Sequence, residues 1–140
     1  ESQSNQHRTE MTMSALDVVG QYGAAIAAGD MAALAATLSA DVVWHQPGAN
    51  QMSGDHVGPD AILAHLGSMM GVSASTFSLE TESATESGNL VVLTVRFSAQ
   101  REGAEDLDQH GVDVFRVEGD KIAEVWLISE DQAAEDAFWG

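Results

Sequence analysis

The strongest constraint on how this chain can fold is a change of period along it. Ahead of Gly71 apolar residues recur at helical spacing, whereas after it the segments 75–84, 90–101, 107–117 and 121–129 alternate with the period of two that belongs to strands. Ser87-Gly88-Asn89, Glu102-Gly103-Ala104-Glu105 and Glu118-Gly119-Asp120 separate these segments. Each is a connection of hairpin type, so the second half reads as an antiparallel meander. Helices first and a sheet afterwards imply an α+β domain in which a curved sheet wraps around helices. No internal repeat interrupts that order.

In the first half, Leu16, Val18, Val19, Tyr22 and Ile26 predict a helix over 14–28, with Ser14 as N-cap and Gly29 as a left-handed terminator. Asp30 opens a second short helix through Leu34 and Leu38. Val42-Val43-Trp44-His45 favours a strand that Pro47 ends, and a glycine-bearing loop from Gly48 to Gly58 follows. Pro59 starts a third helix with Ile62, Leu63, Leu66 and Met69 or Met70 on its apolar side. Residues 1–12 are polar, with neither a basic leader nor a hydrophobic stretch, and are expected as a flexible arm ahead of a single domain over 13–140. The last stretch, 130–140, is expected as a tail helix or as an arm packing on a partner.

Composition narrows the function. The chain has 140 residues, 44% of them hydrophobic, enough for one core. It has no cysteine, which excludes disulfides, thiolate nucleophiles and cysteine metal sites and permits a reducing compartment; a cytoplasmic location is expected. Five Lys and Arg against 22 Asp and Glu give a net charge of −17. Such a surface repels phosphate backbones and anionic lipid, so neither nucleic acid nor a membrane is expected as a partner. No apolar run approaches the roughly 20 residues a spanning helix requires. His45, His56, His65 and His110 form no His-Glu-x-x-His and no i,i+4 pair, so no metal is expected. The absence of glycine-rich phosphate loops likewise implies no nucleotide cofactor. The acid run Glu102–Asp108 reads as a solvated hairpin.

Alternation picks out candidate site residues. In 90–101 the odd positions Val91, Leu93, Val95, Phe97 and Ala99 are apolar, so the odd face points inward. In 107–117 the odd positions are Leu107, Gln109, Gly111, Asp113, Phe115 and Val117, which places Asp113 on the apolar side. Either Asp113 is a carboxyl with a raised pKa that works as acid or base, or a bulge, the backbone or Arg96 satisfies it. From Val42 onward, Trp44 and Gln46 share one face and Val43 and His45 the other, so a one-residue slip would bring His45 inside as a base. Trp44 is a cavity wall or simply core. His110 faces inward only if Gly111 marks a bulge. Met52, Met69 and Met70 form an adaptable rim for a greasy ligand or belong to the core. Leu90, Val92, Val112 and Val114 make the opposite face too apolar for solvent; a homodimer through the sheet would cover it, unless the tail or the arm does.

Several runs taken together are familiar. Gln21-Tyr22 through Gly29-Asp30, Ser39-Ala40-Asp41-Val-Val-Trp44-His45-Gln46-Pro47, Gly54 and Gly58 before a helix, Gly111-Val-Asp113-Val-Phe-Arg-Val, and Gly119-Asp-Lys-Ile-Ala-Glu-Val-Trp126 stand in that order. Over about 14–135 the chain resembles the NTF2-like superfamily and, within it, the SnoaL-like polyketide cyclase and ketosteroid-isomerase-like group. The resemblance implies a cone in which the sheet wraps around about three N-terminal helices and an apolar pocket. It also implies a cofactor-independent cyclase or isomerase that moves a proton next to a carbonyl of a hydrophobic polyketide- or steroid-like substrate, working as a homodimer. Tyr22 stands where the isomerases carry an oxyanion-binding tyrosine, and Asp113 where these families keep an acid/base or protonated aspartate. Gln46 stands before Pro47, where the isomerases have the proton-shuttling aspartate; an amide cannot abstract a proton, which argues against classical steroid isomerisation. The expected catalytic set is therefore Asp113, Tyr22, Gln46 as an orienting group, and His45. Trp44, Phe97, Phe115, Met52, His110 and Trp126 are expected to bind the substrate. The same fold also carries epoxide hydrolases of the limonene type and non-catalytic ligand-binding modules, and both remain alternatives.

Overall fold

A computed structural model describes residues 13–140, so the arm expected at 1–12 lies outside the described residues. Helix α1 (Ala15–Ala28) begins at a capping box: Ser14 Oγ accepts from Asp17 N at 3.0 Å while the Asp17 carboxylate accepts from Ser14 N at 3.3 Å. Gly29, at φ 67°, ends it. Val18, Val19, Tyr22 and Ala25 form its buried side. Helix α2 (Met31–Ala36) is capped by Asp30, whose carboxylate accepts from Ala33 N. It stops short of Leu38, contrary to expectation. Thr37 caps it and accepts a bond from Ile122 N at 2.7 Å, so the sheet captures the chain there and Leu38 opens strand β1 (Leu38–Gln46).

The loop expected after Pro47 contains a short strand, β2 (Gly54–Val57), paired antiparallel with β1 from Val43↔Val57 to Gln46↔Gly54. Helix α3 (Pro59–Val72) follows. Strand β3 (Ser78–Ser87) starts later than expected because Ala74 and Ser75 turn left-handed and Ser75 N donates back to Met70 O at 2.7 Å. The meander then runs through β4 (Leu90–Ala99), β5 (Leu107–Glu118) and β6 (Lys121–Ser129), and helix α4 (Gln132–Trp139) ends the chain. The six strands lie in the order β2-β1-β6-β5-β4-β3. All neighbours are antiparallel except β1 and β6, which run parallel from Leu38↔Ile122 to His45↔Trp126 with a register shift between Leu38 and Val43. The meander is antiparallel as expected, and the parallel seam joins β1 to it. The seam arises because β1 enters from the helical half and meets β6 only after the whole meander has been laid down.

The inner face carries two apolar clusters. Val18, Tyr22, Leu34, Trp44, Ile62, Phe115 and Val125 belong to the first, under α1 and α3. Met52, Met69, Val95, Phe97, Phe138 and Trp139 belong to the second, closed by α4. The tail is thus a helix that packs on the inner side of the sheet. Gln109 holds it there: its Nε2 donates to Asp131 O and its Oε1 accepts from Asp131 N, at 3.0 and 2.8 Å.

Candidate active site

The register sets out the inner face in rows. One row is Val91, Phe115, Val125 and Trp44 across β4, β5, β6 and β1. The next is Leu93, Asp113 and Leu127, and continuing the β1–β6 register by one residue sets Gln46 beside Leu127. The row after is Val95, Gly111 and Ser129. Asp113 therefore stands between two leucines, partly buried. The β4–β5 register runs unbroken from Leu90↔Arg116 to Ala99↔Leu107, so there is no bulge at Gly111. Glycine is required there for another reason: a Cβ would lie 2.7 Å from Ile128 O and 3.1 Å from the Phe97 ring.

No described residue donates a hydrogen bond to Asp113. Arg96, the partner considered for it, is on the other face in a two-pronged pair with Asp108, at 2.9 and 2.8 Å. Burial raises the Asp113 pKa to about 7, and the charge of Glu135 adds to the rise. Tyr22 reaches the same floor from α1, edge-on to Phe115 with ring centroids 5.5 Å apart. Burial, and then the Asp113 charge, raise its pKa, so the phenol keeps its proton and remains a donor. Glu135, on α4, is buried and accepts from Ser129 Oγ at 2.7 Å.

Gln46 and Trp44 face inward together. The Trp44 indole donates to Gln46 Oε1 at 2.9 Å, and His65 of α3 approaches the same oxygen at 2.8 Å. His65 is stacked on His56, with ring centroids 4.0 Å apart. Burial, helped by His56, lowers its pKa to about 4, so it is neutral. Phe97, Phe115 and Met52 are buried on the inner side as well.

Three expected site residues point the other way. His45 is on the outer face, stacked on Trp126 with centroids 5.7 Å apart, its Nδ1 2.8 Å from Asp55 and its Nε2 2.6 Å from Glu124. Neither His45 nor Trp126 reaches the Asp113 row, because β1 keeps register from Val43 onward. His110 is also outside, between Glu82 and Glu130, as the unbroken β5 register requires. Between the β4–β5 hairpin and α4, a groove of about 680 Å³ is lined by Leu107, Gln109 and Phe138 but also by Asp106, Glu130 and Asp131.

His65 and Glu135 were missed as site residues. His65 had a signal, since it falls three after Ile62 and four before Met69, on the buried stripe of α3. Glu135 had none, being one acid among several in an acidic tail.

Comparison with known proteins bears on the family and the fold. The family model described as a SnoaL-like domain matches residues 19–125. An uncharacterized protein of Mycobacterium tuberculosis is 30% identical over 125 residues, 89% of this chain and 95% of that one. A Xanthomonas campestris crystal structure of unknown function with a cystatin-like fold is 46% identical, with a TM-score of 0.85, over 91% of this chain and 99% of that one. An NTF2-like protein from Burkholderia xenovorans shares the fold at 19% identity, with a TM-score of 0.76, over 91% of this chain and 97% of that one.

Proposed function

The chain belongs to the SnoaL-like domain family, and from that premise we propose that it is an acid–base enzyme, a cyclase or isomerase that moves a proton next to a carbonyl of a hydrophobic substrate. The observation that carries this is Asp113, a carboxyl on an apolar floor, unclaimed by any described residue and with its pKa raised to about 7. Its carboxylate takes the proton from the carbon beside the carbonyl. The electron pair of the broken C–H bond moves onto the carbonyl oxygen, giving an enolate. Tyr22 donates its O–H to that oxygen, and protonated Asp113 then returns the proton to the new carbon position. In a cyclisation the enolate carbon instead attacks a second carbonyl of the same molecule, whose oxygen takes up the proton. The apolar walls supplied by Leu93, Leu127, Phe115 and Trp44 suit a polyketide- or steroid-like skeleton.

Steady-state turnover on a panel of hydrophobic 1,3-dicarbonyl compounds tests the proposal. Donors in water-excluded sites are worth roughly 2.7–4 kcal/mol each, so Tyr22→Phe is expected to lose on the order of 100-fold or more in kcat. Asp113→Asn is expected to abolish turnover, and wild-type kcat/KM to rise with pH through about 7 as Asp113 ionises. Near-normal rates in both variants would remove the mechanism. Glu135 favours a second reading, epoxide opening by a water held between two carboxylates. Incorporation of labelled water oxygen into product separates the two.

For the partner, the proposal is a second copy across the outer face. Leu90 and Ile128 are exposed there, at 39% and 59%, and α4 covers the opposite side. Arg96, Arg116, His45 and His110 are interleaved on that face with Glu80, Glu82, Glu124 and Asp108. In a chain of net charge −17, a face carrying both signs is where two copies can meet without repulsion.

A further inference from the structure

The orientation of the Gln46 amide is fixed by the chemistry of its neighbours. An amide oxygen and nitrogen are alike in size, so which of them faces a partner is decided by what that partner can do. The Trp44 indole nitrogen only donates, so the Gln46 atom 2.9 Å from it is the oxygen. His65 Nε2, 2.8 Å from the same oxygen, therefore carries the hydrogen, and Nδ1 of the neutral ring is bare. His56 is held similarly, with its Nε2 directed at Met52 O at 3.1 Å. Turning the amide over would set an NH2 group against the Trp44 indole, which can only donate. Oε1 thus has both lone pairs occupied, while no described residue accepts from Nε2. Gln46 itself is only 5% exposed. With its hydrogens unclaimed, its rotation blocked and its nitrogen not sealed off from solvent as the Trp139 indole nitrogen is, the amide is a donor open to an incoming acceptor.

We infer that Gln46 is a fixed hydrogen-bond donor to an oxygen of the substrate, and that Trp44 and His65 are positioning residues that hold it so. The inference rests on the proton-transfer reading of the same site and adds the polarity of its second end. Gln46 and Asp113 flank Leu127 on opposite sides, two strand spacings or roughly 10 Å apart at the backbone. A ligand lying over Leu127 thus has its acidic carbon at Asp113 and a carbonyl or phenolate oxygen at Gln46. The site selects oxygen acceptors at that end and rejects amines. In this chain the position before Pro47 binds charge rather than removing a proton.

Binding of 4-nitrophenol, whose phenol and phenolate forms absorb at different wavelengths, reads this directly. Wild type is expected to bind the phenolate. One donor to a charged oxygen makes Gln46→Ala weaker by about tenfold or more, and Gln46→Glu, which puts an acceptor there, weaker still. His65→Phe keeps a ring but loses the donor and is expected to weaken binding several-fold, with His65→Gln recovering most of the loss. Nitrogen-15 NMR of unmodified protein is expected to show His65 as the neutral Nε2–H tautomer, a readout independent of how any variant folds. Unchanged phenolate affinity in Gln46→Ala, or the Nδ1–H tautomer at His65, overturns the inference. If Tyr22→Phe weakens the probe while Gln46→Ala does not, the proton-transfer reading stands and this inference fails. If neither variant changes the affinity, or wild type fails to bind the probe, both fail.

Discussion

At the scale of single residues, burial makes Asp113 a cost to stability as well as a reactive group. Its folded pKa of about 7 lies above the ordinary aspartate value of 3.8, so between those values the native state holds a proton that the unfolded state has released. Stability therefore falls as pH rises from about 4 to about 7 and stays lowered above that. Asp113→Asn is expected to flatten this slope and stabilise the protein at pH 8 by on the order of 2–4 kcal/mol, seen as a higher Tm. His45 works in the opposite sense. Glu124 and Asp55 raise its pKa, so it adds stability below its unfolded value that is lost as pH rises through the folded one. His45→Gln should thus lower Tm by more at acid pH than at alkaline pH. Asp113 was legible in the sequence because alternation alone places an acid among apolar neighbours. Alternation also set His45 on the face opposite Gln46, and its inclusion in the expected catalytic set went against that pattern. What alternation could not supply was who meets whom across the cone: Gln46 with His65, and Asp113 with Glu135, pair a strand with helices far away in sequence, and no local period records that.

At the scale of elements, the β3–β6 meander was plain because turn residues separate its strands, and α1 was plain because both caps are in the sequence. Strand β2 was hidden by its glycine-bearing, polar composition, and the start of β1 by the alanines and leucines that equally suit a helix. These segments are strands only because the rest of the sheet offers them a hydrogen-bonding edge. Gly111 shows how tightly β5 and β6 are joined. Gly111→Ala is expected to cost about 1–3 kcal/mol in thermal unfolding, since the new methyl group meets backbone rather than a side chain that could yield. Helix α4 is held in place by Arg101, which donates to Phe138 O and Trp139 O at 2.9 Å, and by Gln51, which donates to Trp139 O at 2.6 Å. Trp139 is fully buried, and its indole nitrogen has no acceptor among the described residues. Trp139→Ala should lose about 3–5 kcal/mol. Trp139→Phe should lose far less, because it also removes the unmet donor.

At the scale of the whole molecule, charge and shape act together. Dimerisation through the outer face predicts that Ile128→Glu, at a position 59% exposed, yields a monomer by sedimentation with the far-UV spectrum of wild type. A sheet also has two ends, and here they differ. One is β2, four residues long. The other is β3, ten residues long, exposed along its whole length and carrying Glu80, Glu82 and Glu86. A long, bare strand is what other chains add to when proteins form fibrils, and carboxylates along it turn newcomers away. The guard is electrical and so can be taken away without touching the fold: an E80Q/E82Q/E86Q variant leaves an open template. Growth of thioflavin-positive fibres by that variant, under conditions where wild type stays clear, is the cost of ending a sheet with charge instead of with a covering helix.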